Sequence, residues 1–413
     1  MGSLLSRAND RKNAMTPPLN GATVADLSPW HDELIALRHH FHQHPELAFE
    51  EHHTAATIAR QPGEYSYQVT TGVAGTGGVS TLRLGDANRA IGLRADMDAL
   101  PISEENTFDY QSSESGKMHA CGHDGHMTML LGAARYLAAT RRFNGTLHVI
   151  FQPAEERGFD SGAQRMVAEG LFDRFPCDAV FAMHNHPGRP CGQLMSRRGQ
   201  FMAAGDRVFI TVRGMGGYAA RPHLAQDPVV GAASIIMALQ TVVARNVPPD
   251  QTAVITIGML QGGKALNVIP AEVQLRLSVR SFDGHSRAAA PAYTDIVQLQ
   301  SASLGLSAEI NYIEGYPVVC NSEAETSLAL QVAAELVGED KVDGEMDLLT
   351  GSEDFAYMLQ ASPGCLIRIS NGEAQANKML HNPGYDFNDN NLVLGAAYWS
   401  RLVERYLPPR TPL

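Results

Sequence analysis

The sequence is poor in cysteine, in positive charge and in long apolar runs, and each shortage argues against a class of protein. Five cysteines, scattered and odd in number, argue against a disulfide framework and favour a reducing cytoplasm. With 32 basic and 44 acidic residues the net charge is −12, which disfavours nucleic acid and anionic membranes as partners. No run of about eighteen apolar residues occurs, so no membrane span is expected. The remaining composition, 44% hydrophobic with 38 glycines, is typical of a soluble α/β protein.

The densest group of reactive side chains lies in residues 118–126, which read MHACGHDGH. This segment contains a thiol, three imidazoles and a carboxylate, and its two glycines allow the backbone to fold tightly. Sulfur, nitrogen and oxygen ligands together predict a transition-metal site for zinc, manganese, cobalt or nickel. A second acidic signature, QPAEE at residues 152–156, directly follows an apolar run. Adjacent carboxylates can divide the work, because one can bind a metal while the other moves protons.

Short apolar runs alternate with helical patterns over much of the chain. Strands are predicted at residues 90–93, 146–151, 179–183 and 365–369, and helices at 32–42, 127–140 and 163–170. This alternation predicts a largely parallel sheet with helices on both faces. The reactive residues directly follow these strands, and sites in open α/β sheets form beyond the carboxyl ends of the strands. We therefore expect four groups to converge: Asp96 with Asp98, Glu155 with Glu156, His184, and the loop of His381.

The middle of the chain has a different pattern. Strands are predicted at residues 206–213, 253–260, 271–281 and 307–313, with helices at 228–245 and 285–304. The order β-α-β-β-α-β is that of a ferredoxin-like unit. Because 413 residues exceed one ordinary core, two domains are expected. The predicted division is a catalytic domain at residues 22–196 and 315–413, interrupted by an inserted domain at 197–314.

Taken in order, these motifs resemble the M20 metallopeptidase family and specifically its amidohydrolase branch. That branch contains hippurate hydrolases, N-acyl amino acid amidohydrolases and hydrolases of indole-acetyl amino acid conjugates. The similarity rests on HQHPEL at 42–47, RADMDALP at 94–101, the segment 118–126, QPAEE at 152–156, MH at 183–184, GSEDF at 351–355 and HNP at 381–383. The resemblance implies an aminopeptidase-like catalytic domain with a dinuclear metal centre. It also implies a ferredoxin-like lid domain through which a homodimer forms.

The resemblance further assigns roles to individual residues. Cys121 and four other residues would hold two divalent ions; the other four are His123, Glu156, His184 and His381. The ions would be manganese or zinc, with cobalt or nickel as alternatives. Glu155 would be the general base, and Asp98, with Asp96 as a weaker candidate, would orient an imidazole. The implied reaction hydrolyses the amide bond of a small N-acyl or N-aroyl amino acid. Glu155 takes a proton from a metal-activated water and returns it to the leaving amine, without a covalent acyl-enzyme.

The lid sequence departs from the family pattern at one position. Relatives place a histidine after a Gly-Gly pair, whereas Tyr218 stands there in GGYAARPH, residues 216–223. Three outcomes are open: Tyr218 donates the hydrogen bond, His223 substitutes for it, or the protein is slow or acts on an unusual substrate. The resemblance also makes Asn267 and Arg280 substrate contacts, and a guanidinium fork suits a substrate carboxylate. Gly351 and Ser352 would supply backbone donors nearby.

For several residues a purely structural role competes with a functional one. The six histidines between residues 39 and 53 are interpreted as surface residues of a helix and turn rather than as a metal cluster. Asp124 either holds a ligand or caps its helix, and His126 is interpreted as structural. Pro62 and Gly63 are expected to end a helix. Two other functions remain alternatives: a hydrolytic deaminase of a small aromatic amine, and a ligand-binding relative that has lost turnover because of Tyr218.

Overall fold

The structure, a computed structural model, describes residues 21–282 and 290–410. Its α-helices are α1 Val24–Leu27, α2 His31–Gln43, α3 His52–Glu64, α4 His123–Thr140, α5 Gly162–Ala168, α6 Leu171–Arg174, α7 Pro228–Thr241, α8 Ala290–Ser303, α9 Glu323–Val337, α10 Phe355–Ala361 and α11 Asn390–Tyr406. Short 3₁₀ turns lie at Ser28–Trp30, Glu155–Arg157, Pro222–Leu224 and Glu339–Lys341, and a π-helical turn, Val242–Asn246, continues α7.

The strands are β1 Gln68–Val73, β2 Gly77–Leu84, β3 Ala90–Asp96, β4 Gly145–Gln152, β5 Ala179–His186, β6 Leu194–Met195, β7 Gly199–Met202, β8 Ala204–Arg213, β9 Gly217–Tyr218, β10 Ala253–Gly262, β11 Val268–Ile269, β12 Glu272–Ser281, β13 Ser307–Tyr316, β14 Val319–Asn321, β15 Val342–Asp343 and β16 Gly364–Ser370. They form an eight-stranded sheet, a four-stranded sheet and two small pairs within the described residues.

The eight-stranded sheet has the order β1-β2-β4-β3-β5-β16-β6-β15. Its centre, β4-β3-β5-β16, is parallel, whereas β1, β2 and β6 join it through antiparallel pairs. Alternate side chains enter two apolar cores, since Phe181 and Ile367 pack with α4 and α11 while Ala182 and Leu366 pack with α5 and α10. The predicted α/β fold with both faces covered is therefore confirmed, and the sheet is mixed.

The four-stranded sheet has the order β10-β12-β8-β13, and its neighbours are all antiparallel. Together with α7 and α8 its elements follow the predicted order β-α-β-β-α-β. Val208 and Ile210 of β8 pack against Ile235 of α7 and Val297 of α8 in a separate core. The first residues of the predicted helix at 285–304 lie outside the described residues. The domain boundaries after 196 and 314 stay a prediction.

Two helices differ from the sequence expectations. Helix α3 continues through Pro62 to Glu64, although a stop was predicted at Pro62 and Gly63. Pro62 lies in the last turn, where its missing N–H group removes only one helical bond, and its carbonyl still accepts from the N–H of Tyr65. Residues 228–246 form one continuous helical segment that, by length and composition alone, could cross a membrane. One such helix is weak evidence, because one face of it packs on the four-stranded sheet.

Candidate metal and catalytic site

The parallel strands deliver the predicted site residues to one edge of the large sheet. Asp96 ends β3 and pairs in register with Gln152 at the end of β4, and the turn that follows holds Glu155 and Glu156. On the other side of β3, β5 continues to His184 and beyond. The backbone N–H of His381 donates to the Ala120 carbonyl at 2.8 Å, which fixes the last loop beside the segment 118–126.

The five predicted metal ligands lie together. The donor atoms of Cys121, His123 and Glu156 all lie within 4.8 Å of one another. The Cys121 Sγ atom is 3.3 Å from Nε2 of His184, and Nε2 of His381 is 3.1 Å from Oε1 of Glu156. Nε2 of His123 is buried and has no hydrogen-bond partner among the described residues. Buried polar atoms normally have partners, so this donor set fits a pair of divalent cations.

The imidazoles are held so that Nε2 faces the cluster. Nδ1 of His123 is 2.7 Å from the Asp98 carbonyl oxygen, and Nδ1 of His184 is 2.7 Å from the Asn185 carbonyl oxygen. A carbonyl accepts only, so each Nδ1 has the proton and each Nε2 keeps its lone pair for a ligand bond. The backbone of Asp98 therefore orients His123 more directly than its carboxylate, whose Oδ1 lies 3.5 Å from Nδ1.

The carboxylate of Asp98 instead positions the two glutamates. Its oxygens accept hydrogen bonds from the backbone N–H groups of Glu155 and Glu156, each at 2.9 Å. Ala154, just before them, has a left-handed backbone with φ of 53°, so the chain turns sharply at the end of β4. The turn is also held by Glu51, which accepts from the Ala154 N–H at 2.8 Å.

Asp96 organises a layer beneath the ligands. Its Oδ1 is 2.7 Å from Nδ1 of His126, and its Oδ2 accepts from Nη1 of Arg94 at 2.7 Å. Burial opposes its charge, but His123, Arg94 and His126 hold the pKa of Asp96 well below its usual range. Asp96, His123, His126 and His184 also form a buried group whose ligand atoms lie within 4.8 Å of one another. Asp96 thus contacts His126 and Arg94 equally closely, and the structural interpretation of His126 stays a prediction.

Two site residues have strongly raised pKa values. Burial, then Glu353, Glu156, Asp354 and Asp98, raises the pKa of Glu155 well above the usual carboxyl range. A raised pKa suits a carboxyl group that must take up and release a proton near neutral pH. Burial and then Glu156, Glu155 and Asp96 raise the pKa of Cys121 as well. A bound cation is what would keep this thiol ionised as a ligand.

A cavity of about 570 Å³ opens above the ligands. Three predicted substrate contacts, Arg280, Gly351 and Ser352, line this cavity. Nη1 of Arg280 donates a hydrogen bond to Oγ of Ser352 at 2.6 Å. The cavity is also lined by three residues that were not predicted from the sequence, Arg368, Arg207 and Tyr316. For Arg368 a signal existed, because it is a charge within the otherwise apolar strand CLIRIS.

The other three predicted substrate contacts do not line this cavity. Tyr218 in β9 pairs with Val268 in β11, and the Ala219 N–H donates to the Asn267 carbonyl at 3.1 Å, so Tyr218 and Asn267 are neighbours. The side chain of Tyr218 is 60% exposed. His223 follows in an exposed 3₁₀ turn. Within one chain these residues form an outer surface rather than part of the cavity wall.

One histidine of the group at 39–53 was wrongly assigned to the surface. His42 is fully buried, and its Nδ1 is 2.8 Å from Oδ2 of Asp124 while its Nε2 is 3.1 Å from Oε1 of Glu104. Asp124 also lies 3.6 Å from Nη1 of Arg38. The other oxygen of Asp124, Oδ1, accepts the backbone N–H of Gly125 in the first turn of α4 at 2.9 Å, which is the contact that the capping alternative predicts. The ion pair with His42, which links α2 to α4, was not predicted.

Comparison with known proteins shows the family of this chain. Residues 92–405 match the model of peptidase family M20/M25/M40. The chain belongs to this family. It is 38% identical over 377 residues to the hippurate hydrolase of Campylobacter jejuni, covering 91% of this chain and 97% of that protein. It is 37% identical over 378 residues to the N-acetyl-L-cysteine deacetylase of Bacillus subtilis, covering 91% and 88%.

A plant relative and a solved structure extend the similarity. IAA-amino acid hydrolase ILR1-like 2 of Arabidopsis thaliana is 34% identical over 406 residues, covering 97% of this chain and 90% of that protein. The crystal structure of the YXEP protein of Bacillus subtilis, described as a dinuclear metal binding peptidase from the M20 family, superposes with a TM-score of 0.78 at 29% identity. The superposition covers 93% of this chain and 100% of the YXEP chain. The predicted family resemblance is confirmed.

Proposed function

We propose that this M20 family member is a metal-dependent amidohydrolase that cleaves the amide bond of N-acyl or N-aroyl amino acids. The observation that supports this most is the convergence of Cys121, Glu156, His184 and His381 with a buried Glu155 in one cavity, with His123 packed behind them. Relatives at 34–38% identity that bear the names hippurate hydrolase, N-acetyl-L-cysteine deacetylase and IAA-amino acid hydrolase define the substrate class.

The five ligands would hold two divalent ions, and manganese or zinc fits this mixed donor set, with cobalt and nickel as alternatives. When bound, such ions lower the pKa of a water molecule and polarise an amide carbonyl. Glu155 would accept the proton of the attacking water at its carboxylate and return it to the leaving nitrogen. Asp98 would keep Glu155 in place through its hydrogen bond to the backbone N–H.

The substrate carboxylate has a suitable partner on the wall formed by β12. Arg280 is half-buried and lines the cavity, and its contact with Ser352 fixes one end of the guanidinium. Arginine binds carboxylates through two parallel hydrogen bonds, so the opposite edge of Arg280 would receive the amino acid carboxylate. Gly351 and Ser352 would close this end of the cavity.

We also propose that residues 197–314 form a lid through which a homodimer assembles in the cytoplasm. Helix α7 exposes Val229, Val230 and Met237, the last at 70%, on the face that does not pack against its own sheet. Such exposed apolar patches mark protein contacts. Tyr218, lying outside its own cavity, would then belong to a surface that meets the partner subunit. The free cysteines fit a reducing compartment.

A substrate screen tests the activity. Protein reconstituted with manganese or zinc is offered N-acetyl, N-benzoyl and indole-acetyl amino acids, with chelated protein as control. We expect release of a free amino acid and a carboxylic acid that stops on chelation. Release of ammonia would instead favour the deaminase alternative. Tight metal binding without hydrolysis of any member of the panel would favour a ligand-binding protein that has lost turnover.

A further inference from the structure

Arg368 shares the floor of the catalytic cavity with a predicted metal ligand. It lies in β16 and pairs in parallel register with His184 of β5. Residues opposite one another on adjacent strands project to the same face of a sheet, so the two side chains are neighbours. Arg368 lines the cavity although only 3% of it is exposed. Its guanidinium therefore faces the site from within the protein rather than from solvent.

Arg368 contacts no carboxylate among the residues that the structure describes. Nη1 donates to the Asn185 carbonyl at 3.4 Å, and Nη2 contacts the Met202 sulfur at 2.7 Å. Nε is buried and has no partner among residues 21–282 and 290–410. No ion pair of Arg368 occurs within the same residues, although a buried charge is normally paired.

Two other buried arginines of the chain show the usual arrangement. Arg38 lies within 4.0 Å of three carboxylates, those of Asp124, Asp386 and Asp389, and Arg94 within 4.0 Å of those of Asp96, Glu353 and Asp354. Arg368 makes no such ion pair among the described residues, although Glu353, Glu155 and Asp96 lie near enough to favour its charge, and it lines the cavity. A cation in this position is suited to a negative charge that arrives with the substrate or develops during the reaction.

We propose that Arg368 is a catalytic residue that donates a hydrogen bond to the substrate carbonyl oxygen as it becomes an oxyanion. Arg280 on the β12 wall suits the substrate carboxylate, whereas Arg368 lies beside His184, where the carbonyl would be attacked. Tyr218, in the sequence position of the family's histidine, is exposed outside the cavity. Arg368 places a cationic donor within the chain's own site. This inference rests on the proposed amide hydrolysis.

The step balances without loss of a proton from arginine. The water oxygen bonds to the carbonyl carbon, Glu155 takes the water proton, and the carbonyl π electrons move to oxygen, where Arg368 donates a hydrogen bond. The C–N bond then breaks, the carbonyl re-forms, and the nitrogen leaves with the proton from Glu155. Arg368 stays cationic throughout, because arginine keeps its proton in proteins.

Kinetics of metal-loaded Arg368→Met and Arg368→Lys test this assignment. We expect kcat of Arg368→Met to fall about 100- to 1000-fold, as when one oxyanion donor is removed elsewhere, with KM nearly unchanged. Arg368→Lys keeps the positive charge but loses the forked guanidinium, so its kcat should fall less than that of Arg368→Met. Arg197→Met is the control, since Arg197 also donates to a carbonyl, that of Met346, but does not line the cavity. A rise in KM with unchanged kcat overturns the proposal.

A binding measurement gives a readout without turnover. The probe is the phosphinate analogue of N-benzoylglycine, in which a tetrahedral anionic phosphorus group replaces the amide, titrated calorimetrically into metal-loaded protein. We expect the Kd for Arg368→Met to weaken about 100-fold or more, because transition-state analogues report the same contacts. Unchanged affinity, or no binding by the wild type, overturns the proposal.

The two readouts also separate the inference from the proposed function. If the wild type hydrolyses no member of the panel, amide hydrolysis fails as the function. The phosphinate affinities of the wild type and Arg368→Met then test on their own whether Arg368 binds the tetrahedral anion. If Arg368→Met does not fold or loses its metal, Arg368→Lys decides. Parallel losses of kcat and phosphinate affinity in the lysine variant support the proposal, whereas full retention of both overturns it.

Discussion

The carboxylate of Asp98 accepts the backbone N–H of Glu155 at 2.9 Å with one oxygen and that of Glu156 at 2.9 Å with the other. One side chain therefore fixes both the proposed base and a proposed ligand. Because the same residue accepts from His123 through its carbonyl oxygen, Asp98 connects β3, α4 and the turn after β4. Its influence on the site is geometric, through three residues that would touch water or metal.

Replacing Asp98 with asparagine should disturb this arrangement without changing the side-chain size. The amide nitrogen cannot accept, so one of the two N–H groups loses its partner. We expect activity to fall roughly 10- to 100-fold, as for other partners of metal ligands. Asp178→Asn is a matched control, since Asp178 accepts the Ala90 N–H at 2.7 Å at the far end of β3. Equal activity losses in both variants would contradict a role specific to the site.

Glu155→Gln should nearly abolish turnover while metal content persists. The amide cannot accept the water proton, and loss of a general base costs about 100- to 10,000-fold in rate. Elemental analysis and kcat are measured on the same preparation. Full activity in this variant would remove Glu155 from the mechanism, and loss of metal together with activity would make it a ligand instead.

Cys121→Ala should reduce the metal bound by the purified protein. Its sulfur lies 3.3 Å from Nε2 of His184 and within 4.8 Å of the donor atoms of His123 and Glu156, so its loss removes the central ligand of the cluster. The control is Cys365→Ala, because Cys365 is also buried and free but contacts Ser196 away from the cavity. Unchanged metal content in Cys121→Ala would contradict the dinuclear assignment.

The His42–Asp124 ion pair should make stability depend on pH. Burial opposes a charge on His42, but hydrogen bonds to Asp124 and Glu104 outweigh it and raise its pKa to about 9. The unfolded value is about 6.5. This stabilisation is complete below pH 6.5 and is lost as the pH rises to about 9. Its size is about 1.4 kcal/mol for each unit by which the folded and unfolded pKa values differ.

The measurement is the free energy of unfolding of the wild type minus that of His42→Gln between pH 6 and 9.5. We expect this difference to shrink as the pH rises. His148→Gln is the control: burial lowers the pKa of His148 to about 4, so its contribution changes only below pH 6.5. A flat difference for His42→Gln across the alkaline range would show that His42 is neutral in the folded protein.

Much of the site could be predicted because its residues follow strands. The ends of β3, β4 and β5 meet at one sheet edge, so motifs far apart in sequence were expected to converge, and they do. The antiparallel pair β1 and β2 was not predicted, since it is rich in glycine and threonine and half of β1 is exposed. Apolar periodicity is weak in such edge strands.

Other features depend on contacts between distant segments, which local patterns do not reveal. His42 is buried in contact with Asp124, which lies 82 residues further on. The absence of an ion pair to Arg368 within the described residues depends on the arrangement of β5 and β16, and the position of Tyr218 depends on β11. A sequence shows that a charge is present, whereas its pairing is a property of the assembled fold.

Side chains along β16 alternate between the two faces of the sheet, and this limits which insertions and deletions the strand can accept. Ile367 and Ile369 enter one core, while Leu366 and Arg368 face the other side. Deleting one codon between Pro363 and Arg368 would exchange the two sets, placing a guanidinium among hydrocarbon and an isoleucine above the reactive centre. Natural length changes near this strand should therefore be confined to the connections that flank it.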